Sequence, residues 1–457
     1  MAFRAIKTGL RPYAQQSSMA NYENPMKGSP LEVKVISGRF HLPNSTSLDV
    51  YRAHDGYKAL EKALQMGPDA VINEMKNSQL RGRGGAGFNT GMKWSFVPKQ
   101  STKPKYVVCN ADESEPATCK DRPLMEYDPH QMIEGIIIAG LAIGAHQGYI
   151  FVRGEYRYLM DIVDRALADA YQGGFLGKNI LGSGFDFELC THTGAGAYEC
   201  GEETALLNSL EGLRGYPRVK PPFPAVVGVY GCPTIVNNVE TLANVPHIIL
   251  KGAEWCAGLG TPKNGGTRLF CLSGHINRPG IYELPMGFPL RRMIEEVGGG
   301  IPGGKKLKSV IPGGSSCPLL TADEIDVAMD FDSLAKIGSM LGSGGVVMID
   351  VDTCMVKVAQ RIMKFYAHES CGWCIPCREG TAWLKTLLDR LHGGGGLAGD
   401  PDMALDVSYN ILGKSLCPLG DAAAMPTISI VKKFRQEFDD HVRLGKCPFD
   451  GRGSRPI

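Results

Sequence analysis

The segment Lys105-Tyr-Val-Val-Cys-Asn-Ala-Asp-Glu-Ser-Glu-Pro116 joins a short apolar run to a polar, acidic loop. The apolar part, Lys105–Cys109, predicts a buried strand, and the loop begins where that strand ends. A second junction of this kind follows, where the predicted strand Phe185–Cys190 leads into the polar segment Thr193–Thr204. In parallel sheets, ligands bind beyond the carboxyl ends of the strands. Both loops are therefore candidate ligand-binding segments.

Predicted helices alternate with these strands. They span Asp69–Leu80, Pro129–Gly144 and Arg157–Tyr171, and a further strand is predicted at Tyr149–Arg153. The stretch Gly135–Val152 has no Asp, Glu, Lys or Arg, but its glycines and His146 argue against a membrane span. It fits a buried helix that runs into a strand. The alternation predicts an α/β fold with a largely parallel sheet covered on both faces.

The pattern changes after Gly260. Strands are predicted at Thr267–Ser273, Gly280–Leu284 and Leu307–Ile311, with a helix at Pro289–Val297. Beyond Asp352 the predicted elements are the helices Val356–His368, Thr381–His392, Met403–Leu412 and Ile428–Gly445. We therefore expect a lead-in over residues 1–68, a ligand-binding α/β domain over 69–259, a small α+β domain over 260–352 and a helical region over 353–457.

Composition places the chain among soluble globular proteins. Of its 457 residues, 43% are apolar and 21% charged, and the net charge of +2 gives no argument for nucleic-acid binding. Its 14 cysteines show no extracellular disulfide framework, which favours a reducing compartment. Residues 1–22 are basic but lack the apolar core of a secretory signal. That favours a disordered tail over a mitochondrial presequence.

Three cysteines lie close together in Ser370-Cys-Gly-Trp-Cys-Ile-Pro-Cys377. Three thiols at this spacing and a fourth from elsewhere are typical of a [4Fe–4S] cluster. The alternative, a structural zinc site, more often shows two separate C-x2-C pairs. Cys417 and Cys447 are both candidates for the fourth ligand, and each precedes a proline. We favour Cys417, which is nearer and follows a helical stretch, but the spacing leaves both open.

The loop Arg81–Trp94 is rich in glycine and contains the pattern Gly82-x-Gly84-x-x-Gly87. The pattern matches a dinucleotide motif, but a helix rather than a strand is predicted before it. Backbone N–H groups, the cationic Arg81 and Arg83, and the charge of Lys93 would suit a phosphate or a flat ring system. The alternative is a glycine-rich turn without a ligand.

Carboxylates lie in both polar loops, namely Asp112, Glu113 and Glu115 in the first and Glu202 and Glu203 in the second. Carboxylates at strand ends can accept hydrogen bonds from ribose hydroxyls and repel a 2′-phosphate. For the glutamates of the second loop, the alternative is capping of a helix N-terminus.

Three phenylalanines, Phe88, Phe96 and Phe223, occur in loops rich in glycine or proline. A place in the core is the default expectation for phenylalanine. Their neighbourhood makes stacking on an adenine or nicotinamide ring the alternative.

Several long segments together resemble the flavin-containing NADH-binding subunit of respiratory complex I. They are Arg81–Trp94, Cys109–Pro116, Gly194–Tyr198, Cys200–Leu207, Lys220–Ala225, Val236–Leu242 and Glu369–Gly380. The resemblance extends from about residue 70 to residue 440. Two positions depart from the family pattern: Ala117 stands where relatives usually have glycine, and Glu199 stands where an apolar residue is common.

The resemblance implies a Rossmann-like flavin domain, a small ubiquitin-like β-grasp domain of the SLBB type and a C-terminal helical bundle that holds the cluster. It also implies an enzyme that oxidises NADH, transfers a hydride to FMN and passes single electrons to a [4Fe–4S] cluster and on towards quinone. No protein side chain is expected to act as a catalytic acid or base, because the chemistry belongs to the cofactors.

The same resemblance implies three sets of site residues. The FMN set is Gly82, Gly84, Gly85, Lys93, Asn110, Asp112, Gly201, Glu202, Asn237, Asn238 and Thr241. The NADH set is Phe88, Phe96, Glu115, Glu203, Lys220 and Phe223. The cluster ligands are Cys371, Cys374, Cys377 and Cys417.

The implied partners are other peripheral-arm subunits, especially a [2Fe–2S] thioredoxin-like subunit and a multi-cluster iron–sulfur subunit. Membrane contact would occur only through these partners, on the cytoplasmic side of a bacterial inner membrane rather than the mitochondrial matrix side. One alternative is the diaphorase subunit of an NAD-linked hydrogenase or formate dehydrogenase. An alternative of another class is a flavin-free structural iron–sulfur scaffold.

Overall fold

The computed structural model describes Met26 and residues 28–450, so the interpretation of residues 1–22 lies outside the described part of the chain. The strands are β1 (Tyr106–Ala111), β2 (Gln147–Val152), β3 (Glu188–Thr193), β4 (Thr234–Asn238), β5 (Thr267–Gly274), β6 (Gly280–Pro285), β7 (Leu307–Ile311), β8 (Leu320–Thr321) and β9 (Gly345–Asp350).

The helices that precede β5 in the chain are α1 (Leu48–Ala53), α2 (Lys58–Met66), α3 (Pro68–Asn77), α4 (Thr90–Ser95), α5 (Asp121–Tyr127), α6 (Pro129–Ile143), α7 (Arg157–Gln172), α8 (Glu203–Leu210), α9 (Val239–Lys251) and α10 (Ala253–Gly258). Those that follow are α11 (Leu290–Arg292), α12 (Phe331–Lys336), α13 (Met355–Glu369), α14 (Ile375–His392), α15 (Asp400–Ile411), α16 (Pro418–Lys433) and α17 (Arg435–Leu444).

The first sheet has four strands in the order β3-β2-β1-β4, and every pair is parallel. Helices α5 and α6 connect β1 to β2, and α7 connects β2 to β3. The expected α/β fold with a parallel sheet is confirmed. The third strand begins later than expected, at Glu188, because the backbone of Phe187 instead pairs with Gly177.

Helix α6 lies at the centre of this α/β region, and almost all of its side chains are buried. Gly135 lets it approach α9 closely, since a Cβ at that position would lie 2.0 Å from the carbonyl oxygen of Leu242. The interpretation of Gly135–Val152 as a buried helix and strand is confirmed. Among the described residues, no helix combines the length and apolar character that crossing a bilayer requires.

The second sheet is mixed, with strand order β6-β5-β9-β7-β8. Strand β9 pairs parallel to β5 and antiparallel to β7, and the expected helix at Pro289–Val297 begins as α11 and continues as a π-helix over Met293–Val297. The sequence patterns did not predict β9, because a short and wholly buried apolar run carries no alternation that distinguishes a strand from a helix.

Helices α13 to α17 form the C-terminal region, and the core that they surround also includes Val347 and Ile349 of β9. Helix α14 begins at Ile375, earlier than expected, so the cysteine triplet is not confined to a loop and Cys377 lies in the helix. The single helix expected over Ile428–Gly445 is two helices, α16 and α17, which meet at Phe434 with φ −121°. Phe434 packs against the core of this region, and its non-helical backbone allows the chain to turn there.

Residues before α3 show little pattern in the sequence but are closely tied to the core. The buried carboxylate of Glu283 on β6 accepts hydrogen bonds from the backbone N–H groups of Ile36 and Ser37, at 3.0 and 2.9 Å. The buried Glu134 on α6 likewise accepts from the N–H groups of Tyr57 and Leu60. These side-chain to backbone contacts explain why a segment without periodicity is ordered against the second sheet and α6.

Lys120, which is 1% exposed, connects two segments of the α/β region and, through Glu240, the second sheet. Its Nζ lies 2.8 Å from Asp121 Oδ1 at the start of α5 and 2.9 Å from Glu240 Oε2 on α9. The other carboxylate oxygen of Glu240 accepts a hydrogen bond of 2.9 Å from the N–H of Leu269 on β5. One buried cation thus joins the loop after β1, the start of α9 and the second sheet.

We predict that Lys120→Met lowers the free energy of unfolding by about 3–5 kcal/mol, because it leaves two buried carboxylates without their counter-charge. Lys99→Met is the matched control. Lys99 pairs with Asp69 at the surface, where both side chains are largely exposed, and such a pair contributes about 1 kcal/mol or less. Urea unfolding of both variants measures the difference. Equal losses would contradict the structural role of the buried lysine.

Candidate functional site

The order of the parallel strands creates a crevice at one edge of the first sheet. The chain proceeds from β1 to β2 and β3 on one side and then returns to place β4 on the other side of β1. The carboxyl ends of β1 and β4 therefore adjoin, with Asn110 paired to Asn238 and Cys109 to Asn237. A reversal of this kind is where open α/β sheets bind their ligands.

Three asparagines surround this crevice, and each is held by a neighbour. Asn110 Nδ2 donates to the carbonyl oxygen of Gly201 at 2.8 Å. Asn237 Oδ1 accepts from the indole N–H of Trp94 at 2.9 Å, and Asn238 Nδ2 donates to Asp121 at 2.6 Å. These contacts fix the amide orientations and bring the segment after β3 to the ends of β1 and β4.

The glycine-rich loop lies between α3 and α4, so the expectation that a helix precedes it is confirmed. Its backbone is anchored where the N–H of Arg83 donates to the hydroxyl of the buried Thr241 at 2.8 Å. Gly85 has φ +127°, a conformation that residues with a Cβ rarely adopt. At Gly84 a Cβ would lie 3.2 Å from the Cβ of Asn238, so the loop runs closely over the end of β4.

The two arginines of this loop do not face the crevice as free cations. Arg83 is wholly buried, and its guanidinium donates to the carbonyl oxygens of Gly265 and Thr267 at 2.7 and 2.9 Å. Arg81 pairs with Asp332 at 3.1 Å. The interpretation of both arginines as cations available to a phosphate or a flat ring system is wrong, because the loop uses them to attach itself to the second sheet and to α12.

Two lysines and two glutamates form a charged network at the start of α8. Lys93 Nζ donates to Glu203 at 2.8 Å and to the carbonyl oxygen of Val236 at 2.8 Å. Lys220 Nζ lies 2.8 Å from Glu202 and 2.9 Å from Glu203. Burial opposes ionisation of Glu203, but the ammonium groups of Lys93 and Lys220 outweigh it and lower the pKa of that carboxyl to about 2.

Glu202 caps the N-terminus of α8, as the capping alternative predicted. Its carboxylate accepts hydrogen bonds from the N–H groups of Thr204 and Ala205 at 2.8 and 3.0 Å, at the first turn of α8. Capping and the ion pair with Lys220 hold at once, because the two contacts use different carboxylate oxygens.

The three acids of the first loop have different surroundings. Asp112 follows β1 at the crevice, where burial raises the pKa of its carboxyl to about 7. Glu113 caps α5 by accepting from the N–H of Asp121 at 2.8 Å, so it does not serve as a ribose acceptor. Glu115 accepts from the hydroxyl of Tyr198 at 2.7 Å and the N–H of Ser316 at 2.9 Å, which joins this loop to the second sheet's region.

Three aromatic rings in the loops rich in glycine or proline are exposed. Phe88, Phe96 and Phe223 are 52%, 52% and 57% exposed, so the interpretation of these residues as core is wrong. The rings of Phe88 and Phe96 lie 5.9 Å apart. Exposed phenylalanines beside a polar crevice are costly in water and provide flat surfaces for a planar ligand.

The departure at Ala117 has a structural consequence. Ala117 has φ +75°, a left-handed conformation that favours glycine. An alanine there costs roughly 1–2 kcal/mol relative to right-handed backbone. The turn is held by the N–H of Thr118, which donates to the carbonyl oxygen of Glu115 at 3.0 Å.

Four thiols meet at a second site. Cys371, Cys374, Cys377 and Cys417 line one cavity. Cys374 and Cys417 each directly precede a helix, α14 and α16, and Cys377 lies in the first turn of α14. Two helix N-termini thus converge on the cavity, and their partial positive charge would favour an anionic thiolate cluster.

Polar groups around this cavity reach the sulfur atoms. The N–H of Leu416 lies 3.5 Å from Cys374 Sγ, and Ser370 Oγ lies 3.2 Å from Cys377 Sγ. Hydrogen bonds to cluster sulfurs influence reduction potential. Glu199 also lines the cavity, and burial raises the pKa of its carboxyl to about 7. The sequence identified Glu199 as a departure from the family pattern but did not predict that it lines the thiol cavity.

The two sites adjoin along a short stretch of chain. Glu199 lines the thiol cavity, and two residues later the carbonyl oxygen of Gly201 accepts the hydrogen bond from Asn110 in the crevice. Two consecutive peptide units span at most about 7.6 Å between Cα atoms. The rings of Tyr216 and Trp373, 4.7 Å apart, form a second connection between the Lys220 segment and the cysteine loop.

Comparisons with known proteins match family models to three parts of the chain. A family model described as the Nuo51 FMN-binding domain matches residues 75–247. A second, described as an SLBB domain, matches residues 268–349, and a third, the NADH-ubiquinone oxidoreductase-F iron-sulfur binding region, matches residues 357–441.

Curated relatives resemble nearly the whole chain. The F subunit of the NADH-quinone oxidoreductase of Mycobacterium tuberculosis (strain ATCC 25618 / H37Rv) is 55% identical over 92% of this chain and 96% of its own length. The F subunit numbered 2 of the NADH-quinone oxidoreductase of Rhizobium meliloti (strain 1021) is 54% identical over 91% of this chain and 99% of its own.

A solved structure is also similar. A chain in the crystal structure of NAD+-reducing [NiFe]-hydrogenase in the air-oxidized state aligns with a TM-score of 0.78 and 33% identity, over 90% of this chain and 67% of that one. The extent and identity of the curated matches decide the family: this chain belongs to the family of NADH-quinone oxidoreductase F subunits.

Proposed function

We propose that this chain is the flavoprotein subunit through which electrons from NADH enter an NADH-quinone oxidoreductase, or respiratory complex I. The observation that carries the proposal is the junction at residues 199–201, where the crevice of the parallel sheet meets the four-thiol cavity. FMN, when bound, supplies the conversion between a two-electron hydride donor and a one-electron acceptor. The chain positions the donor, the flavin and the cluster within short reach of one another.

The crevice suits FMN in shape and in hydrogen-bonding groups. Gly85 has a backbone conformation that favours glycine, and the lack of a side chain at Gly84 allows the loop to lie against the end of β4. We assign FMN contacts to Gly82, Gly84, Gly85, Lys93, Asn110, Asp112, Gly201, Glu202, Asn237, Asn238 and Thr241. Within that set Thr241 also holds the glycine-rich loop, because its hydroxyl accepts from the N–H of Arg83.

For NADH we assign the exposed aromatic rings and the charged network. Phe88, Phe96 and Phe223 offer faces for the planar rings of the dinucleotide. Glu203 and Lys220 lie beside Lys93, which brings the donor's polar groups next to the flavin crevice. We also assign Glu115, whose Oε2 accepts from the hydroxyl of Tyr198 and keeps a second lone pair for a ligand.

We assign Cys371, Cys374, Cys377 and Cys417 as ligands of a [4Fe–4S] cluster. The four thiols line one cavity, which fits the usual ligand count. Cys447, the alternative fourth ligand, lies instead beside Cys354, His392 and His441.

Next to this cavity the chain exposes large apolar side chains: Trp373 is 55% exposed, Ile375 66% and Trp383 62%. Exposed apolar groups of this size mark surfaces that another protein covers. We propose that the chain operates with a [2Fe–2S] thioredoxin-like subunit and a multi-cluster iron–sulfur subunit that accepts electrons from this side. We place the assembly on the cytoplasmic side of a bacterial inner membrane, with membrane contact through partners.

The alternative acceptor is a hydrogenase module, which the similarity to the NAD+-reducing [NiFe]-hydrogenase chain favours. The curated relatives, named for NADH-quinone oxidoreductase, favour quinone. Purification of the chain with its native partners, followed by identification of those partners and assay of NADH oxidation with quinone, tests the proposal. Copurified nickel–iron subunits, or a preparation that lacks flavin, would overturn it.

We predict that Lys93→Ala weakens retention of FMN about tenfold or more, because a charge-assisted contact is worth about 1.5–3 kcal/mol. Lys99→Ala, the loss of an exposed lysine that is paired with Asp69, is the control and should retain flavin fully. Flavin stoichiometry after dialysis measures the effect. Retention equal to that of the control would refute the assignment of Lys93.

Cys374→Ser and Cys417→Ser are each expected to abolish the electron paramagnetic resonance signal of the reduced cluster while flavin stays bound, since each removes one of four ligands. Cys447→Ser should keep the signal, and Cys256→Ser controls for loss of a buried thiol elsewhere. A full signal from Cys417→Ser, with loss in Cys447→Ser, would reverse the choice of fourth ligand.

Glu203→Ala should raise KM for NADH and shift donor preference towards NADPH, with the NADPH-to-NADH ratio of kcat/KM rising about tenfold or more. The carboxylate repels a 2′-phosphate, and its removal also leaves Lys93 without a carboxylate partner and Lys220 with Glu202 alone. Glu254→Ala, which removes another glutamate from the first turn of a helix, is the control. A constant donor ratio would mean that Glu203 does not discriminate.

A further inference from the structure

A second group of metal-ligating side chains lies in the C-terminal helical region, apart from the four-thiol cavity. It consists of Cys354, His392, His441 and Cys447, and one ligand atom from each lies within 4.8 Å of all the others. Three of these residues are buried and His392 is half-buried. The four residues come from separate elements, and their spacing in the sequence does not predict that they meet.

Each of these four residues lies near the end of a helix or just outside one. Cys354 immediately precedes α13, and His392 is the last residue of α14. His441 lies on α17, and Cys447 follows that helix. One ion at this point would therefore tie together the start of α13, the end of α14, α17 and the segment after it.

The distances are close to those of a tetrahedral site. With Zn–S near 2.3 Å and Zn–N near 2.0–2.1 Å, tetrahedral geometry separates ligand atoms by about 3.3–3.8 Å. Cys354 Sγ lies 3.4 Å from His441 Nε2, which already matches such an edge. The remaining separations, up to 4.8 Å, require only a small contraction.

The hydrogen bonding of His441 prepares it as a ligand. Its Nδ1 donates to the carbonyl oxygen of Glu437 at 2.6 Å, because a carbonyl can only accept. The proton therefore resides on Nδ1, and the lone pair of Nε2 points towards Cys354. A backbone carbonyl on the far nitrogen is the usual support of a metal-bound histidine.

His392 supplies an independent sign of a missing partner. Its Nε2 is buried and has no hydrogen-bond partner among the described residues. A buried polar atom without a partner costs about 1–3 kcal/mol, and a metal ion would remove that cost. Its ring centroid lies 5.9 Å from that of His441, so both imidazoles approach the same point.

We propose that Cys354, His392, His441 and Cys447 bind one divalent ion of the zinc class as a structural Cys2His2 site. Two thiolates and two imidazoles suit zinc, which takes four such ligands in structural sites. The ion is separate from the iron–sulfur cluster and takes no part in electron transfer. A disulfide between Cys354 and Cys447 is the competing arrangement, and it would leave His392 without a partner.

The surroundings tie this site to the rest of the molecule. Glu437 also accepts from the N–H of Met355 at the start of α13 and pairs with Lys308 on β7, both at 2.8 Å. Metal binding would therefore fix α17 against both the helical region and the second sheet. Since structural zinc contributes folding free energy, its removal should loosen the C-terminal end of the chain first.

Elemental analysis of the full chain, purified with its flavin and cluster, tests the proposal. We expect about one zinc per chain in addition to the cluster iron. Cys447→Ser and His392→Gln should each lower the zinc content at least about fivefold, and Cys256→Ser should not. Wild-type protein without zinc, or equal zinc in all four proteins, would overturn the assignment, the latter because the ion would then be adventitious.

Two further measurements keep the test decisive if a variant fails to fold. Wild-type protein reconstituted with Co²⁺ should show the intense visible bands of a tetrahedral ion and thiolate charge transfer beyond the cluster absorbance. Mass spectrometry of the unreduced protein should find Cys354 and Cys447 as free thiols once the metal is released. Octahedral cobalt bands, or a Cys354–Cys447 disulfide, would refute the site.

Discussion

A single buried ammonium group constrains the geometry on which the crevice depends. Lys120 pairs with Asp121 and Glu240, and its Nζ lies 3.3 Å from Asn238 Oδ1 at the carboxyl end of β4. A buried charge is tolerated only when it is paired. Asp121, Glu240 and Asn238 must therefore stay within contact distance of Lys120 in the loop after β1. Since Glu240 also binds the backbone of β5 through Leu269, the second sheet is held in the same arrangement.

The glycine-rich loop depends on the same region and has two roles. The guanidinium of the buried Arg83 attaches the loop to the backbone at the start of β5. Arg268 on β5 in turn donates to the carbonyl oxygen of Arg83 at 3.2 Å. The glycines then remain free to present backbone over the end of β4. Rigid attachment on one face and open backbone on the other give a preorganised surface, which reduces the ordering cost of binding a flat cofactor.

Cysteine chemistry divides the helical region into two parts. Four thiols near the starts of α14 and α16 line the cavity that adjoins the crevice. A Cys2His2 group gathers at the start of α13, the end of α14 and the C-terminal part of α17 with the segment after it. Helix α14 spans both, with Cys377 in its first turn and His392 as its last residue. The position of the thiols that line the cavity therefore depends on how firmly the far end of that helix is held.

Local patterns in the sequence determined much of this protein: the alternation of strands and helices, the polar loops at strand ends, the cysteine triplet and the cap at Glu202. Such features depend on residues close in the chain, where periodicity and spacing reflect backbone geometry directly. Tertiary structure alone decided that Cys417 joins the triplet while Cys447 meets Cys354. It also buried Arg83 and exposed the phenylalanines, because contacts between distant segments follow from packing and charge pairing that no local pattern records.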